Sequence, residues 1–265
     1  MQMRVVLPQL EIYKIEREFA NVPHAHANQF QVTIPLHGTC FFTHENKEMA
    51  LTAGNGLVLQ PRDMHSFAMG DDAGLIIIQV NDQSMYPTAM KTRREPSLYQ
   101  HFDPVTLSDY FKKWMMDMIS FDSAHGLAVE ELECQILSYL HQTLWGQAGT
   151  METVHDRLVV DPHLKRVLDY IHAHYTEQMN IDELATIALQ SRFHFIRSFK
   201  SMMGVTPYQY VLQLRVEQAK VQLQRTDDTV TGISYRLGFS STSQFYRTFL
   251  RAVGMTPEKY RAETR

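Results

Sequence analysis

The sequence predicts a multi-domain α+β chain: an N-terminal β-barrel followed by a helical hairpin, then an all-α tail containing two copies of a helix–turn–helix unit. Three observations lead there. Residues 1–103 carry short apolar runs separated by Gly, Pro, Asn and Asp; residues 104–146 switch to three- and four-residue apolar spacing; and residues 161–265 contain an internal repeat.

The barrel expectation rests on runs such as 30–36, 56–59 and 75–80, whose length and β-branching favour strands over helices. Regularly spaced short strands with turns between them suggest an all-β barrel or sandwich. Apolar residues make up 44% of the 265 and charged residues 20%, a globular composition that excludes a disordered chain. Two cysteines far apart, Cys40 and Cys134, exclude a disulfide framework and a cysteine-rich zinc site. The first residues are broken by Pro8 and charges, unlike a signal peptide, and no run approaches the ~20 apolar residues of a membrane span. A soluble, cytoplasmic protein is expected.

In the hairpin, Leu107, Tyr110, Phe111, Trp114, Met115, Met118 and Ile119 form one helical stripe, and Leu132, Ile136, Leu137, Leu140 and Leu144 a second. Such a pair can pack on its own barrel, join a second copy, or do both. Residues 147–160 read as a linker. Beyond it, Asp161-Pro162, Asn180 with Glu183, Thr206-Pro207 and Thr229 each mark a helix start.

The repeat is the most specific feature. FIRSFKSMMGVTPYQY (195–210) and FYRTFLRAVGMTPEKY (245–260) align without a gap at an offset of 50, with seven identities in sixteen positions. Each copy has a short helix (181–188 or 230–237), a tight turn, and a helix whose two phenylalanines face inward at i and i+4. Glycine then ends that helix and Thr-Pro opens the next. Arg197 and Arg247, midway between the phenylalanines, point away from them on a helical wheel. Taken singly, each is an ordinary solvated arginine; at equivalent positions of two copies they suit guanine recognition in a major groove. The net charge of −4 argues against nucleic acid, but residues 161–265 hold 14 basic and 10 acidic side chains, so the tail is weakly positive. The helix at 207–223 would set the spacing, about 34 Å if both units read one face of B-DNA.

On these residues, above all ISYRLGFSSTSQFYRTFLRAVGMTPEKYR (233–261), the tail resembles the AraC/XylS family of bacterial transcription regulators. The resemblance implies two helix–turn–helix units binding adjacent grooves of promoter DNA, usually as an activator working with RNA polymerase. Its DNA-contacting surface falls on Arg192, Phe193, Ile196 and Arg197 in the first unit, and on Thr242, Ser243, Gln244, Tyr246 and Arg247 in the second. The first turn departs from the pattern, since Leu189 stands where glycine is common and where the second unit has Gly238; Gln190 replaces an apolar residue. In the second unit Gly232 takes a place usual for a better helix former.

His24, His26, Gln31, Gly38 and His65 have a spacing that resembles the two metal motifs of the cupin barrel, with Gln31 in place of the usual glutamate and Asp63 near an expected glycine. A sensory cupin-like barrel occurs in many members of the same regulator family. Three readings stay open: the histidines line a wet interior, hydrogen-bond a small effector with Arg62, Gln29 and Gln60 as helpers, or hold a metal. The effector reading is favoured, with a sugar as one candidate, and no cofactor is expected. The expected protein is an effector-responsive, homodimeric regulator and not an enzyme. Its rivals are a metal-dependent cupin enzyme with an ancillary DNA domain, and a constitutive DNA-binding protein.

Overall fold

A computed structural model describes residues 2–86, 95–120, 126–146 and 162–264. It divides into two compact units, Met1–Met115 with Gln135–Glu152 and Met116–Cys134 with Thr153–Arg265. The sequence set the helical hairpin apart as 104–146; the structure instead shares it between the two units. The expected linker, 147–160, and the start at Asp161 lie outside the described residues.

The first unit is a pair of antiparallel sheets. One has strand order β1 (Gln2–Val6), β2 (Leu10–Glu16), β9 (Gly74–Asn81), β4 (Gln29–His37), β7 (Asn55–Leu59), β10 (Tyr99–His101). The other runs β3 (Phe19–Ala20), β8 (His65–Met69), β5 (Thr39–His44), β6 (Lys47–Thr52). Seven of the eight residues of β9 are buried, because it lies between β2 and β4 and is covered on both faces. Phe42, Leu57, Leu59, Phe67, Leu75 and Ile77 fill the space within the barrel.

A one-turn helix, α1 (Asp82–Met85), follows β9. The stripes expected in the hairpin form α2 (Pro104–Ser120) and α3 (Gly126–Trp145). Tyr139 of α3 meets Tyr110 and Trp114 of α2 with ring centroids 5.0 and 5.7 Å apart. In the second unit, Leu127, Ala128 and Cys134 of α3 pack in one core with Ile181, Leu184, Phe195 and Phe199.

That unit continues with α4 (Pro162–His174), α5 (Ile181–Ile187), α6 (Arg192–Met203), α7 (Pro207–Arg225), α8 (Val230–Arg236), α9 (Thr242–Val253) and α10 (Pro257–Thr264). Local chemistry repeats with the sequence. Asn180, Ser191, Thr206, Thr229 and Ser241 each accept a first-turn N–H, and Thr206 forms a full capping box with Gln209; such caps contribute about 1 kcal/mol apiece. At Gly232 a Cβ would lie 3.1 Å from the Thr229 hydroxyl that caps this residue's N–H, a tight contact that glycine avoids. Both α6 and α9 end on left-handed glycines, Gly204 at φ 73° and Gly254 at φ 80°.

The two tight turns adopt the same backbone with different residues. Gly238 has φ 80°, and Leu189, its counterpart, is held at φ 54° with its side chain 73% exposed. A Cβ on Gly238 would lie 2.2 Å from the Thr176 carbonyl oxygen. Gly238→Ala therefore loses at least about 2 kcal/mol through strain and clash. Leu189→Gly relieves about 1–2 kcal/mol of strain against about 0.5–1 kcal/mol of glycine entropy, leaving stability unchanged or slightly raised. Thermal and urea unfolding of both variants checks this; a neutral Gly238→Ala, or a large loss in Leu189→Gly, would contradict it.

Candidate nucleic-acid interface and histidine site

The paired helices α6 and α9 present the same faces. Phe195, Phe199, Phe245 and Phe249 are at most 1% exposed, while Arg197 and Arg247 stand at the surface. The phenylalanines stack within each unit at 5.6 and 5.5 Å between ring centroids, so their burial fixes the rotation of each helix about its axis. Ser243 is exposed, and Thr242 is half-buried beside it.

Other residues expected at this surface are already engaged. Arg192 pairs with Asp182 of α5 at 3.1 Å, and the Tyr246 hydroxyl donates to Glu258 of α10. Phe193 is half-buried against the first core. Two are corrections: Ile196 is 8% and Gln244 only 1% exposed. Gln244 turns inward because its amide has partners there. Its Nε2 donates to the Tyr208 hydroxyl at 2.8 Å, and its Oε1 accepts from the Ser240 backbone N–H at 3.0 Å. It positions α9 from within, where a helical wheel alone places it at the rim.

The groups that join the two helix–turn–helix units escaped the sequence reading. Arg215, in the middle of α7 and 2% exposed, donates through Nε to the Tyr175 carbonyl (2.6 Å), through Nη1 to the Gly238 carbonyl (2.6 Å) and through Nη2 to the Glu177 carbonyl (3.0 Å). Burial lowers its pKa to about 10, which leaves it charged at neutral pH. The guanidinium thus ties the chain after α4 to the turn of the second unit. Only arginine offers this many donors in a fixed plane.

Two consecutive carboxylates of α3 cap helices α5 and α7. Glu130 accepts from the Ile181 N–H at the start of α5 (2.5 Å), and Glu131 from the Tyr208 N–H at the start of α7 (2.6 Å). Helix N-termini carry bare N–H groups and a positive dipole end, so carboxylates suit them. Burial pushes Glu131 up to about 7, opposed by hydrogen bonds from Thr206 and Tyr208 and by Lys200 of α6, and assisted by Asp117 of α2. Tyr208 thus bonds Glu131 through its backbone N–H and Gln244 of α9 through its hydroxyl, and Gln244 in turn bonds the half-buried Ser240.

In the first unit, His24 and His65 are joined by a backbone bridge, N to O at 2.9 Å in both directions. With His26 they form a cluster with ring centroids 4.4, 5.1 and 5.3 Å apart. Their ligating atoms all lie within 4.8 Å of one another. The His24 Nδ1 donates to the Val22 carbonyl and the His65 Nδ1 to the Asp63 carbonyl, each at 2.9 Å. Carbonyls only accept, so both rings carry a proton on Nδ1. The His65 Nε2 is fully buried without a hydrogen-bond partner. Burial drives the His65 pKa down to about 4, and burial together with His24 lowers that of His26.

Gln31, 2% exposed, joins this cluster: its Oε1 lies 3.1 Å from the His26 Nε2, and its amide donates to Thr33. Gln79 was missed. It faces Gln31 across the β4–β9 register and reaches both the His26 Nε2 (2.9 Å) and the Gln31 Oε1 (3.0 Å). One polar residue in the run Leu-Ile-Ile-Ile-Gln-Val was the available signal. Arg62 is exposed and meets the cluster through its backbone N–H, which donates to the His26 carbonyl at 2.7 Å. The Gln60 amide instead donates to Glu95.

A barrel with a polar inner cluster, joined in sequence to two matched helix–turn–helix units, defines a one-chain transcription regulator with a ligand-binding domain. The family of AraC-like ligand binding domains matches residues 12–81, and a helix-turn-helix domain family matches residues 184–263. The chain is 24% identical over 248 residues to the uncharacterised HTH-type transcriptional regulator YdeC of Bacillus subtilis (strain 168), covering 88% of this chain and 84% of that one. It is 26% identical over 239 residues to an uncharacterised HTH-type regulator of Staphylococcus aureus (strain COL), covering 89% of this chain but only 32% of that protein. Among solved structures it is similar to the DNA-binding domain of AdpA, a global transcriptional factor captured with target DNA (35% identity, TM-score 0.37, 39% of this chain and 92% of that one). The chain belongs to the AraC family of helix–turn–helix transcriptional regulators. Its relatives are regulators and not enzymes, which removes the cupin-enzyme rival. Among the described residues no helix is long and apolar enough to cross a membrane.

The Glu131 cap generates a pH test. A carboxyl whose folded pKa lies near 7, against an ordinary value near 4.5, favours the folded state when protonated. Its contribution is complete below about pH 4.5 and is lost as pH rises through 7, an effect on the order of 2–3 kcal/mol. Glu131→Gln keeps an acceptor for Tyr208 and should flatten the stability profile across that window, whereas Glu131→Ala strands the N–H at a cost of about 1–3 kcal/mol. Urea unfolding from pH 5 to 8 checks both; an unchanged slope in Glu131→Gln would refute the assignment.

Proposed function

We propose that the protein is an effector-responsive transcription activator, cytoplasmic and homodimeric, whose α6 and α9 read adjacent major grooves of promoter DNA. The observation that carries this reading is the exposure of Arg197 and Arg247 at matched positions of two identically capped helices, each locked by a buried phenylalanine pair. Each arginine then pairs in bidentate fashion with a guanine. Thr242 and Ser243 lie at the entry of α9, and Arg192 approaches the backbone from its ion pair with Asp182. RNA polymerase is the partner that the bound regulator recruits.

The effector is a small molecule held at His24, His26, Gln31 and His65, where polar groups converge inside the barrel. It acts by population shift, favouring the arrangement of a dimer whose four recognition helices match paired half-sites. Exposed apolar side chains on α2, Val105 at 70%, Met116 at 69% and Ile119 at 78%, support the hairpin as the dimer contact.

Arg197→Ala and Arg247→Ala should each lose about 1–3 kcal/mol of operator affinity and relax preference at one base pair. Affinity should also fall steeply with salt. Binding titrations on an operator selected from random DNA, with single-base variants, test this. An equal loss on every sequence would assign the arginines to phosphates and remove the base-reading role.

A further inference from the structure

We propose that the cleft between α7 and α9 binds a small organic carboxylate with a compact apolar body, and that this ligand releases the protein from its operator by occupying Arg247. The second clause rests on the base-reading role assigned to Arg247 above; the binding site itself does not. The cleft lies within the DNA-binding unit and involves no residue of the barrel.

The cleft has a volume of about 360 Å³, at the small end of the range for small-molecule sites. Its apolar lining comes from Val205 in the turn before α7, Leu212 and Val216 of α7, and Ala252 of α9. Leu212 packs against the cores of both helix–turn–helix units, and Val216 is only 2% exposed. The floor of the cleft is therefore the seam where the two cores meet. A phosphodiester gains nothing from such a floor, whereas an apolar ligand body sheds water by settling on it.

The rim sets the ligand's charge. Arg247 and Arg251 are both exposed, one helical turn apart on α9, and like charges at that spacing repel. Among the described residues neither makes an ion pair or a hydrogen bond, and no carboxylate lines the cleft. By contrast, Arg192, Arg215, Arg236 and Arg261 of the same unit are each held by an oxygen of the chain. Gln209 and Gln213 line the α7 wall. The Gln209 Oε1 is committed to the Thr206 N–H, so its amide N–H groups are what it offers a ligand. Guanidinium forks and amide donors suit a carboxylate head, which only accepts. Engaged there, Arg247 is withdrawn from guanine, so ligand and operator compete.

The test uses the purified full chain, with 2-naphthoate as the probe and 2-naphthamide as its neutral counterpart of the same shape. Calorimetry without DNA should show saturable binding of the carboxylate, and binding of the amide weaker by about tenfold or more. Arg251→Gln removes a charge and Ala252→Leu fills the cleft; each should weaken 2-naphthoate by about tenfold or more. Ala252→Leu should still bind the operator, which separates a blocked cleft from a misfolded chain. With the probe at about ten times its Kd, the apparent operator Kd of the native chain should rise about elevenfold. In Ala252→Leu the same concentration should leave it unmoved. Absence of saturable binding, or binding indifferent to both substitutions, overturns the site. Equal binding of the amide overturns the anionic class. Probe bound at unchanged operator affinity overturns the competition. If no probe binds and Arg251→Gln weakens every DNA sequence alike, the cleft holds a phosphodiester and the proposal falls, while the reading of grooves by α6 and α9 stands.

Discussion

One buried guanidinium holds the DNA-binding unit in a single shape. Arg215 sits halfway along α7 and satisfies carbonyls from the chain after α4 and from the turn of the second helix–turn–helix. A charge in that position is tolerable only because its donors meet oriented carbonyls at short range, with the Phe239 ring 5.8 Å away. The geometry works in both directions. Gly238 must be glycine to bring its carbonyl there, since any Cβ would strike the Thr176 carbonyl, itself in the segment that Arg215 grips.

Around that constraint the remaining parts acquire their roles. The capped and glycine-ended helices are locally determined and would form similar turns in either unit. What fixes them relative to each other is buried and polar: Arg215 at one end, and at the other the bonds that Tyr208 makes to Glu131 and Gln244. Buried polar networks demand full satisfaction, so they select one arrangement where apolar contacts would accept several. The α3 carboxylates extend this to a helix that precedes the tail in sequence, so the DNA-binding unit is larger than its duplicated motif.

Much of this was legible in the sequence because its signals are local. Proline, threonine and glycine marked the helix ends, the fifty-residue offset paired the phenylalanines, and Leu189 identified the strained turn. The barrel strands at 30–36 and 75–80 were visible from β-branching and length. The buried polar side chains, Arg215 among them, were not legible, for one reason: burial of a polar side chain depends on partners far along the chain. Gln244 lies on the rim of a helical wheel yet is drawn inward by Tyr208, 36 residues away. Glu131 is an unremarkable acid in a helix until the Tyr208 N–H arrives from 77 residues on. Gln79 became meaningful only through its register with Gln31 across two strands.

The most direct test is hydroxyl-radical footprinting of the operator with the native chain and with Arg215→Met, which keeps the apolar stem but removes every donor. If this guanidinium sets the spacing of the two recognition helices, the variant should stay helical, lose stability, and protect one groove where the native chain protects two. Unchanged protection over both grooves, at native affinity, would contradict the account at its centre.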